Sequence, residues 1–351
     1  MKKKYSARLK FMNLLICSML LGFATFHYTE GIEYPALIKF RDFIYFKESR
    51  YEADTDGMVM NNYLGHKRVY NPVTIAQTAL IDAQCFLSQR FSAPPEFHDC
   101  SKLQVDSDKI IKAANWFLDN GVRNTTGGVD YIAFYYNFPY PKYSIANPWL
   151  SGMAQGQVIE VLLAAFELTQ KEEYYLVADL AANTFKVSID DGGVLVKVDG
   201  GFWFEEYAST DYAEAPLVLN GHLFALDSLF WLKNYNSEWD HLYEKGINAL
   251  EVNIESYHSL SWSYYDLAGT LANGKYHRIH ISQLKRVLAL NPQLRMIEAA
   301  IDTFETDLLL PFAIFERLIV SHNRYLIFAG GLYSSLFFFV FLLIKRRKSA
   351  D

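Results

Sequence analysis

The fold is decided by residues 151–187, which read SGMAQGQVIEVLLAAFELT at 151–169 and EEYYLVADLAANTFKV at 172–187. Alanine and leucine form stripes in 158–167 and 176–184, as buried faces of packed helices require. Short connections make successive helices antiparallel, so we predict a mainly α chain whose residues 71–322 form an α/α toroid, an incomplete (α/α)6-type barrel with a cleft. Amphipathic spacing predicts further helices at about 72–90, 107–120, 215–233, 237–255, 280–290 and 295–320.

One segment, residues 188–207, departs from the helical pattern. Glycine-containing turns at 190–193 and 199–201 flank the apolar runs 194–198 and 202–204. This arrangement predicts a β-hairpin inserted between helices. Residues 29–70 are irregular, aromatic and charged, and we predict a lead-in segment with one or two short strands.

Both ends of the 351-residue chain predict membrane segments. Residues 325–344 carry no charge and are long enough to cross a bilayer. The basic cluster 345–348 follows directly and predicts a cytoplasmic C-terminal tail, 345–351. Residues 11–28 follow the basic tail 1–10 and predict an uncleaved signal anchor, with a cleaved signal peptide as the alternative.

The charge distribution agrees with this topology. Nine of the 33 basic residues lie in the end segments, which leaves residues 11–344 with 24 basic and 38 acidic residues, a net charge of −14. An acidic middle argues against a nucleic-acid-binding protein. We therefore expect an extracytoplasmic domain. Only one N-glycosylation sequon occurs, Asn124-Thr125-Thr126, and this scarcity favours a periplasm or cell surface over a Golgi lumen. Cys85 and Cys100 either pair with each other in that compartment or stay free.

The chain has no nucleotide-binding loop, no Ser-His-Asp signature and no Cys/His metal spacing, so no cofactor or metal is expected. Aromatic and carboxylate clusters occur instead at 202–207, 262–267 and 276–280. Most of the 24 tyrosines are expected to be packing residues. His277 and His280 have no companion ligand, which favours a structural or substrate-contacting role over metal binding. Aromatic neighbours of Glu205 and Glu206 predict partial burial, which raises a carboxyl pKa.

Several short motifs, in order, are similar to those of a known family. They are Asn71 to Gln77, Met153-Ala154-Gln155-Gly156-Gln157, Glu205-Glu206-Tyr207, Val218 to Gly221, Tyr265-Asp266-Leu267, and Tyr276-His277 with His280, Ile281 and Gln283. Together they resemble the D-glucuronyl C5-epimerase family, whose members convert D-glucuronate to L-iduronate within heparosan or heparan sulfate chains. The resemblance covers about 105–290, the family's C-terminal helical domain, and 71–77.

The resemblance implies roles for individual residues. Tyr207, Tyr265 and Tyr276 match active-site tyrosines, and Glu206 matches the neighbouring glutamate. Asn220, Gln77 and Arg50 match substrate-binding positions. From the residues themselves, two roles are open for the helix start at Ser151, Gly152, Met153 and Gln155. Its small residues would let two helices approach closely, or would admit a sugar carboxylate near backbone N–H groups. The resemblance allows a homodimer.

Two departures from the family also stand in the sequence. Ala268 occupies the position where characterised animal enzymes have an arginine, and we expect Lys275 and Arg278 to supply the missing charge. The family's large β-rich region is largely absent, so calcium binding associated with that region is not expected here.

The chemistry explains the residue types. Inverting carbon 5 removes a proton from one face of the ring and returns one to the other, and phenols suit both tasks. We predict Tyr265 and Tyr276 as the opposed pair, Tyr207 as an assistant, and a neutral Glu206 as a donor to the enolate-like intermediate. The predicted substrate is a glycosaminoglycan-like or exported bacterial polysaccharide. Alternatives are a polysaccharide lyase acting by β-elimination and an inactive glycan-binding protein.

A polyanionic substrate requires local positive charge in an acidic domain. We therefore predict that the basic and imidazole side chains near the motifs line the cleft. These are Arg50, His66, Lys67, Arg68, Lys275, His277, Arg278 and His280.

Overall fold

The computed structural model describes residues 2–44, 50–63, 65–93, 100–210, 215–311, 313–321 and 324–347, and it is mainly helical, as predicted. The remaining positions of the predicted segments, including Met1 and residues 348–351 of the two tails, lie outside the described residues. The helices are α1 (Lys2–Ile44), α2 (Pro72–Gln77), α3 (Leu80–Phe91), α4 (Ser107–Asn120), α5 (Gly152–Thr169), α6 (Glu172–Ala182), α7 (Leu219–Leu232), α8 (Glu238–Asn253), α9 (Gly274–Leu290), α10 (Arg295–Leu309), α11 (Ala313–Ser321) and α12 (Arg324–Arg347). The strands are β1 (Tyr51–Ala53), β2 (Val59–Tyr63), β3 (His66–Val69), β4 (Val122–Thr126), β5 (Val129–Ala133), β6 (Leu195–Val198) and β7 (Gly201–Phe204).

The two terminal helices contain apolar windows that are long enough to cross a membrane. The windows are Leu9–Glu30, with mean hydropathy 1.7, and Leu326–Ile344, with mean hydropathy 2.2, and most of each is exposed. α1 and α12 pack against each other along these windows, with Gly22 against Ser334 and Gly330 against Phe23. We call this pair the apolar hairpin.

The first helix is longer than predicted. It does not end near residue 28 but continues to Ile44, so the first part of the predicted lead-in segment is helical. Helix-favouring residues such as Ala36, Leu37 and Lys39 follow Pro35 and are consistent with this continuation. Within residues 50–63 and 65–70, the lead-in contains the antiparallel sheet β1-β2-β3.

Three helix boundaries differ from those predicted. The helix expected at 72–90 breaks between α2 and α3, where Thr78 bonds back to the Ile75 carbonyl. The helix expected at 295–320 breaks between α10 and α11 beside Pro311, which has no N–H to donate. α9 begins at Gly274 instead of near residue 280, because the Asn273 side chain caps it.

The two remaining sheets are hairpins. β6 and β7 pair with Val198 opposite Gly201, which confirms the predicted strand-turn-strand. The β4–β5 hairpin turns at Gly127 and Gly128, both with positive φ, and the sequence reasoning did not include it.

The core lies around α5, which is buried along most of its length and packs against α7, α6, α4, α3 and α2. The Ala-rich stripe of α5 lets these neighbours approach closely: a Cβ at Gly156 would lie 2.9 Å from the Phe224 carbonyl oxygen in α7. Cys85 of α3 forms a disulfide with Cys100. Closure of the helices into a toroid stays a prediction.

Candidate active site

Two adjoining cavities lie where β7, the 262–273 segment and α9 meet, and they share Tyr140 and Tyr207. The larger cavity, about 320 Å³, is lined by Tyr140, Lys142, Tyr207, Tyr265, Thr270, Leu271, Asn273 and Tyr276. The smaller one, about 100 Å³, is lined by Tyr63, Asn71, Val73, Tyr136, Phe138, Tyr140, Trp149, Ser151, Met153, Glu206 and Tyr207. The larger volume falls within the range of about 300–1,000 Å³ that is typical of small-ligand sites.

Three separate elements bring the predicted tyrosines to the larger cavity. Tyr207 follows β7, and the adjacent Ala208 pairs with Leu150 through backbone hydrogen bonds of 2.9 and 3.1 Å. Tyr265 is fixed by its N–H, which donates to the Thr270 carbonyl at 2.7 Å, and by its own carbonyl, which accepts a backbone N–H. Tyr276 lies in the first turn of α9, where its N–H donates to the Asn273 side chain at 3.0 Å. Three distant stretches of sequence therefore contribute phenols to the lining of one cavity.

The phenols are in mutual contact. The hydroxyl oxygens of Tyr207 and Tyr265 are 3.2 Å apart, and the Tyr265 and Tyr276 rings meet edge to face with centroids 4.9 Å apart. Burial, followed by the nearby Glu206 carboxyl, raises the pKa values of Tyr207 and Tyr265 well above 10. Both phenols are therefore neutral in the unliganded protein.

Glu206 is buried between Tyr265 and Asn220. The Tyr265 hydroxyl donates to its Oε1 at 3.1 Å, and the Asn220 Nδ2 donates to its Oε2 at 3.0 Å. Burial raises the pKa of Glu206 to about 7, although these hydrogen bonds oppose the shift. Because both oxygens accept hydrogen bonds, the contacts favour the carboxylate rather than the neutral donor that the sequence suggested.

The neighbouring Glu205 has a different environment. Its carboxyl accepts the backbone N–H of Tyr207 at 3.0 Å and that of Leu217 at 2.6 Å, and burial raises its pKa to about 8. It lies outside the residues that line either cavity. Of these two neighbouring carboxyls, that of Glu205 is therefore structural and that of Glu206 lines a cavity.

Lys142 is the cavity residue that the sequence reasoning missed. Its Nζ lies 3.1 Å from Asp266 Oδ2 and 4.8 Å from the centroid of the Tyr265 ring. Tyr143 completes the group, because its hydroxyl accepts from Lys142 and donates to Asp266. Asp266 is fully buried, while the Lys142 side chain keeps 37% exposure toward the cavity. The Lys142 ammonium group thus lies beside the phenols, although no sequence motif predicted it.

The helix start at 151–155 is only partly available to a ligand. Ser151 and Met153 line the smaller cavity. The Gly152 N–H is already bonded to the Glu205 carbonyl at 2.7 Å, and a Cβ there would collide with that oxygen. Gln155 is completely buried and bonds to the backbone of Phe134, Ile132 and Ala181. Gly152 and Gln155 therefore serve packing.

The two motif histidines are structural in this arrangement, and neither lines either cavity. His277 contacts the Ser263 hydroxyl at 2.8 Å and the Phe304 carbonyl at 2.9 Å. His280 contacts the same hydroxyl at 3.1 Å. Burial lowers the pKa of His277 well below 6.5 and that of His280 to about 3. The expectation that these side chains place cations in the cleft is therefore wrong.

The other predicted cations are dispersed. Lys275 approaches the Tyr276 ring at 5.8 Å, whereas Arg278 bonds to the Gly274 carbonyl at 3.0 Å. His66 packs 6.4 Å from the Phe138 ring, and Arg68 lines a separate cavity of about 320 Å³ with Tyr70 and Trp116. Lys67 is exposed on β3. The predicted single cationic lining does not form.

The three substrate-binding positions implied by the resemblance, Asn220, Gln77 and Arg50, all lie outside both cavity linings. Asn220 is completely buried beside Glu206. Arg50 is exposed just before β1. Gln77 is exposed at the end of α2, one turn beyond Val73, which lines the smaller cavity. Ala268 lies in the exposed turn that Asp266 closes by accepting the Thr270 N–H at 2.9 Å. Within the described part of the chain, no group of three or more His, Cys, Asp or Glu side chains could hold a metal ion.

Comparison with known proteins agrees with this geometry. Residues 128–304 match the family described as D-glucuronyl C5-epimerase C-terminus. The chain is 31% identical over 200 residues to D-glucuronyl C5-epimerase of Caenorhabditis elegans, which covers 51% of this chain and 32% of that protein. It is 32% identical over 165 residues to an uncharacterized protein of Methanocaldococcus jannaschii, covering 44% of this chain and 52% of the relative.

The chain thus spans about half or less of the length of the curated relatives it matches. The matched region, residues 128–304, contains the three predicted tyrosines together with Glu206, Asn220 and Lys142. The chain belongs to the D-glucuronyl C5-epimerase family, through the C-terminal domain of that family.

Proposed function

We propose that this protein inverts carbon 5 of D-glucuronate residues within a polysaccharide, giving L-iduronate. The observation that carries the proposal is the meeting of the three predicted tyrosines, Tyr207, Tyr265 and Tyr276, with Lys142 in one cavity, and Glu206 is hydrogen-bonded to Tyr265. Membership of the epimerase family supports the reaction class. The polymer is a glycosaminoglycan-like or exported bacterial polysaccharide.

Lys142 binds the sugar carboxylate in this proposal. Removing the carbon-5 proton places a second negative charge on that group, so a nearby cation stabilises the intermediate more than the bound substrate. Two unit charges 4 Å apart attract by about 4 kcal/mol at an effective dielectric constant of about 20. Asp266 and Tyr143 fix the ammonium group in place. In this proposal Lys142 supplies the positive charge that the sequence led us to expect from Lys275 and Arg278.

Tyr265 and Tyr276 act on opposite faces of the ring. One phenolate takes the carbon-5 proton, the electron pair of the C–H bond moves onto the carboxyl group, and the other phenol returns a proton to the opposite face. The epimerisation is reversible, so the two tyrosines exchange roles when iduronate is the substrate. No bond between sugars breaks, and the polymer keeps its length.

Glu206 assists by accepting the phenolic proton of Tyr265. Its pKa of about 7 lies much closer to neutrality than that of the buried phenol, so it is available as a carboxylate near neutral pH. Asn220 holds the carboxyl through its second oxygen, and Tyr207 adjoins the Tyr265 hydroxyl. This chain of hydrogen bonds carries the phenolic proton from Tyr265 to Glu206. After each turnover Glu206 releases that proton to solvent, and Tyr276 regains a proton from solvent in the open cavity.

The proposal includes a location outside the cytoplasm. The apolar hairpin crosses the membrane twice, and its basic ends, Lys2 to Lys10 and Lys345 to Lys348, stay on the cytoplasmic side. The Cys85–Cys100 disulfide supports an oxidising compartment for the helical domain.

The test uses the purified full chain in detergent micelles with heparosan and other uronate polymers in deuterium oxide. We expect deuterium at carbon 5 and iduronate signals in NMR spectra, with unchanged chain length. An ultraviolet-absorbing unsaturated sugar would identify a lyase instead. Binding without exchange on any polymer would overturn the epimerase proposal in favour of a glycan-binding protein.

A further inference from the structure

The apolar hairpin joins the helical domain through a buried polar junction. At the end of the first apolar window, the Glu30 carboxylate accepts two contacts from Arg317 Nη2, at 2.7 and 2.8 Å. The side chains of both residues are at most 2% exposed. The neighbouring His27 contacts the Leu308 carbonyl at 3.0 Å, and Tyr28 donates to the Leu309 carbonyl at 2.9 Å. The end of the window is therefore bonded to the domain and is not a loose tether.

This junction is built around Trp262. The Arg317 guanidinium lies 4.7 Å from the centroid of the Trp262 ring, and the His27 ring lies 5.6 Å away. Trp262 in turn stacks on His277 at 3.7 Å and donates from Nε1 to the Ala272 carbonyl at 2.8 Å. Trp262 precedes Tyr265 in sequence, and its partners Ala272 and His277 lie on either side of Tyr276. Its contacts therefore hold both ends of the segment between the two tyrosines.

Glu30 also contacts that segment directly. Its carboxylate packs against Gly274, so closely that a Cβ at Gly274 would collide with it. Gly274 is the first residue of α9, and Tyr276 lies two residues later. The position of Glu30 therefore limits where the first turn of α9 can sit.

From these contacts we infer that Glu30 and Arg317 are positioning residues, which couple the apolar hairpin to the segment 262–276 and so set the placement of Tyr265 and Tyr276. The inference rests on the proposed function for its catalytic meaning. Neither residue lines the cavity that holds the tyrosines. Their effect is transmitted through Trp262 and Gly274.

A protein is strongly destabilised when one partner of a buried ion pair is removed. Removing either charge leaves the other buried without compensation, and the surrounding segment shifts to solvate it. A misplacement of about 1 Å in a catalytic group lowers a rate by about 100-fold. A defect in the junction should therefore lower kcat more than it raises KM, because Lys142 and its partner Tyr143 lie outside the shifted segment.

The test compares Glu30→Gln and Arg317→Met with a matched control, Asp227→Asn, in the full chain in lipid nanodiscs. Asp227 and Arg286 form another buried ion pair, at 2.7 Å, outside the lining of both active-site cavities. We expect kcat to fall about 10- to 100-fold in the junction variants, with KM within about threefold of wild type. Asp227→Asn should lower the melting temperature but keep kcat within about threefold, and Arg317→Lys should recover part of the rate.

Amide hydrogen exchange provides a readout that does not require turnover. In Glu30→Gln we expect faster exchange in 262–280, with α5 unchanged. Unchanged exchange in 262–280, an unchanged kcat, or equal losses in Asp227→Asn would overturn the inference. A wild-type protein that shows no carbon-5 exchange on any uronan would instead remove the proposed function, while hydrogen exchange would still decide whether the junction controls the segment.

Discussion

Two buried polar clusters approach each other at residues 263–265, and among the described residues only one of the two lines the active-site cavities. We call Glu206, Tyr207 and Tyr265 the phenol cluster, and Ser263, His277 and His280 the histidine cluster. In the histidine cluster, His277 contacts the Ser263 hydroxyl with one ring nitrogen and a backbone carbonyl with the other. In the phenol cluster the hydroxyls contact one another and a carboxyl at the cavity wall.

The comparison shows that burial and a motif do not by themselves make a reactive group. Both clusters have pKa values displaced by burial. Burial holds the imidazoles neutral within the core, so they stabilise the fold. The phenols are neutral too, but they face a cavity in which a substrate and Lys142 can change their proton affinity.

The largest effect is expected from Tyr265→Phe. The substitution keeps the ring and removes the hydroxyl that acts on one face of the sugar, so carbon-5 exchange should fall by about 10²- to 10⁴-fold. The rate is measured by NMR in deuterium oxide. Tyr174→Phe is the matched control, because Tyr174 is equally buried and donates to Asn115 away from the cavity. Comparable losses in both variants would contradict the special role of the phenol cluster.

Lys142→Met should follow, with kcat/KM lowered by about 10- to 100-fold, because a desolvated charge contact contributes about 1.5–3 kcal/mol. The control is Lys186→Met. Lys186 pairs with Glu238 at 2.8 Å and lies 4.1 Å from the Trp239 ring, so it also has a carboxylate partner and an aromatic neighbour but lies outside the cavity. A normal rate in Lys142→Met would show that the carboxylate binds elsewhere.

A second substitution sharpens this prediction. Ala268 lies in the turn between Asp266 and Thr270, at the position where the resemblance implies an arginine in characterised animal enzymes. Ala268→Arg in the Lys142→Met background should recover part of kcat/KM if the turn reaches the same carboxylate. Recovery by Ala268→Lys as well would show that charge, and not the fork of the guanidinium, is what the site requires.

The pH dependence should separate the two clusters further. Glu206 acts as a carboxylate, so the rate should rise with pH through about 7, the value that burial sets for its pKa. Glu206→Gln should be slow and should lose this inflection, whereas the buried imidazoles should contribute none. An inflection near 7 that survives in Glu206→Gln would contradict the assignment.

The same shift has a consequence for stability. Because the folded-state pKa of Glu206 is raised from 4.5 to about 7, the native state binds more protons than the unfolded state between these values. This group's contribution to stability is therefore lost as pH rises from about 4.5 to 7. Denaturant midpoints measured across this range should decline more steeply in the wild type than in Glu206→Gln.

The smallest effect on turnover is expected from His280→Gln. The side chain is buried in the histidine cluster, so the free energy of unfolding should fall by about 1–3 kcal/mol while kcat stays within about threefold of wild type. Urea unfolding and carbon-5 exchange measure the two quantities. A large loss of kcat with normal stability would place His280 in the reaction after all.

The sequence predicts much of the helical framework, for physical reasons that particular residues illustrate. The apolar stripes of α5 and α6 and the glycine turns of the β6–β7 hairpin are local signals, and the structure confirms those elements. The early start of α9 depends on the Asn273 cap, and the α10–α11 break lies at Pro311. Both signals are short, and the apolar periodicity around them obscured them.

The candidate site divides in the same way. Motifs located Tyr207, Tyr265, Tyr276 and Glu206, which the structure places together around the two adjoining cavities. Lys142 could not be found this way, because it lies in a short 3₁₀ turn, Pro141–Tyr143, outside the motifs and reaches Asp266 across 124 positions of sequence. The motifs also could not predict that the His277 side chain is buried in the core, since its position depends on a tertiary contact with Ser263.

Carbon-5 exchange in deuterium oxide tests the central claim most directly. Starting from a glucuronate polymer, the full chain should produce iduronate that carries deuterium at carbon 5, at unchanged polymer length, and Tyr265→Phe should abolish it. A folded wild-type protein that binds uronans yet exchanges no carbon-5 hydrogen would contradict the account.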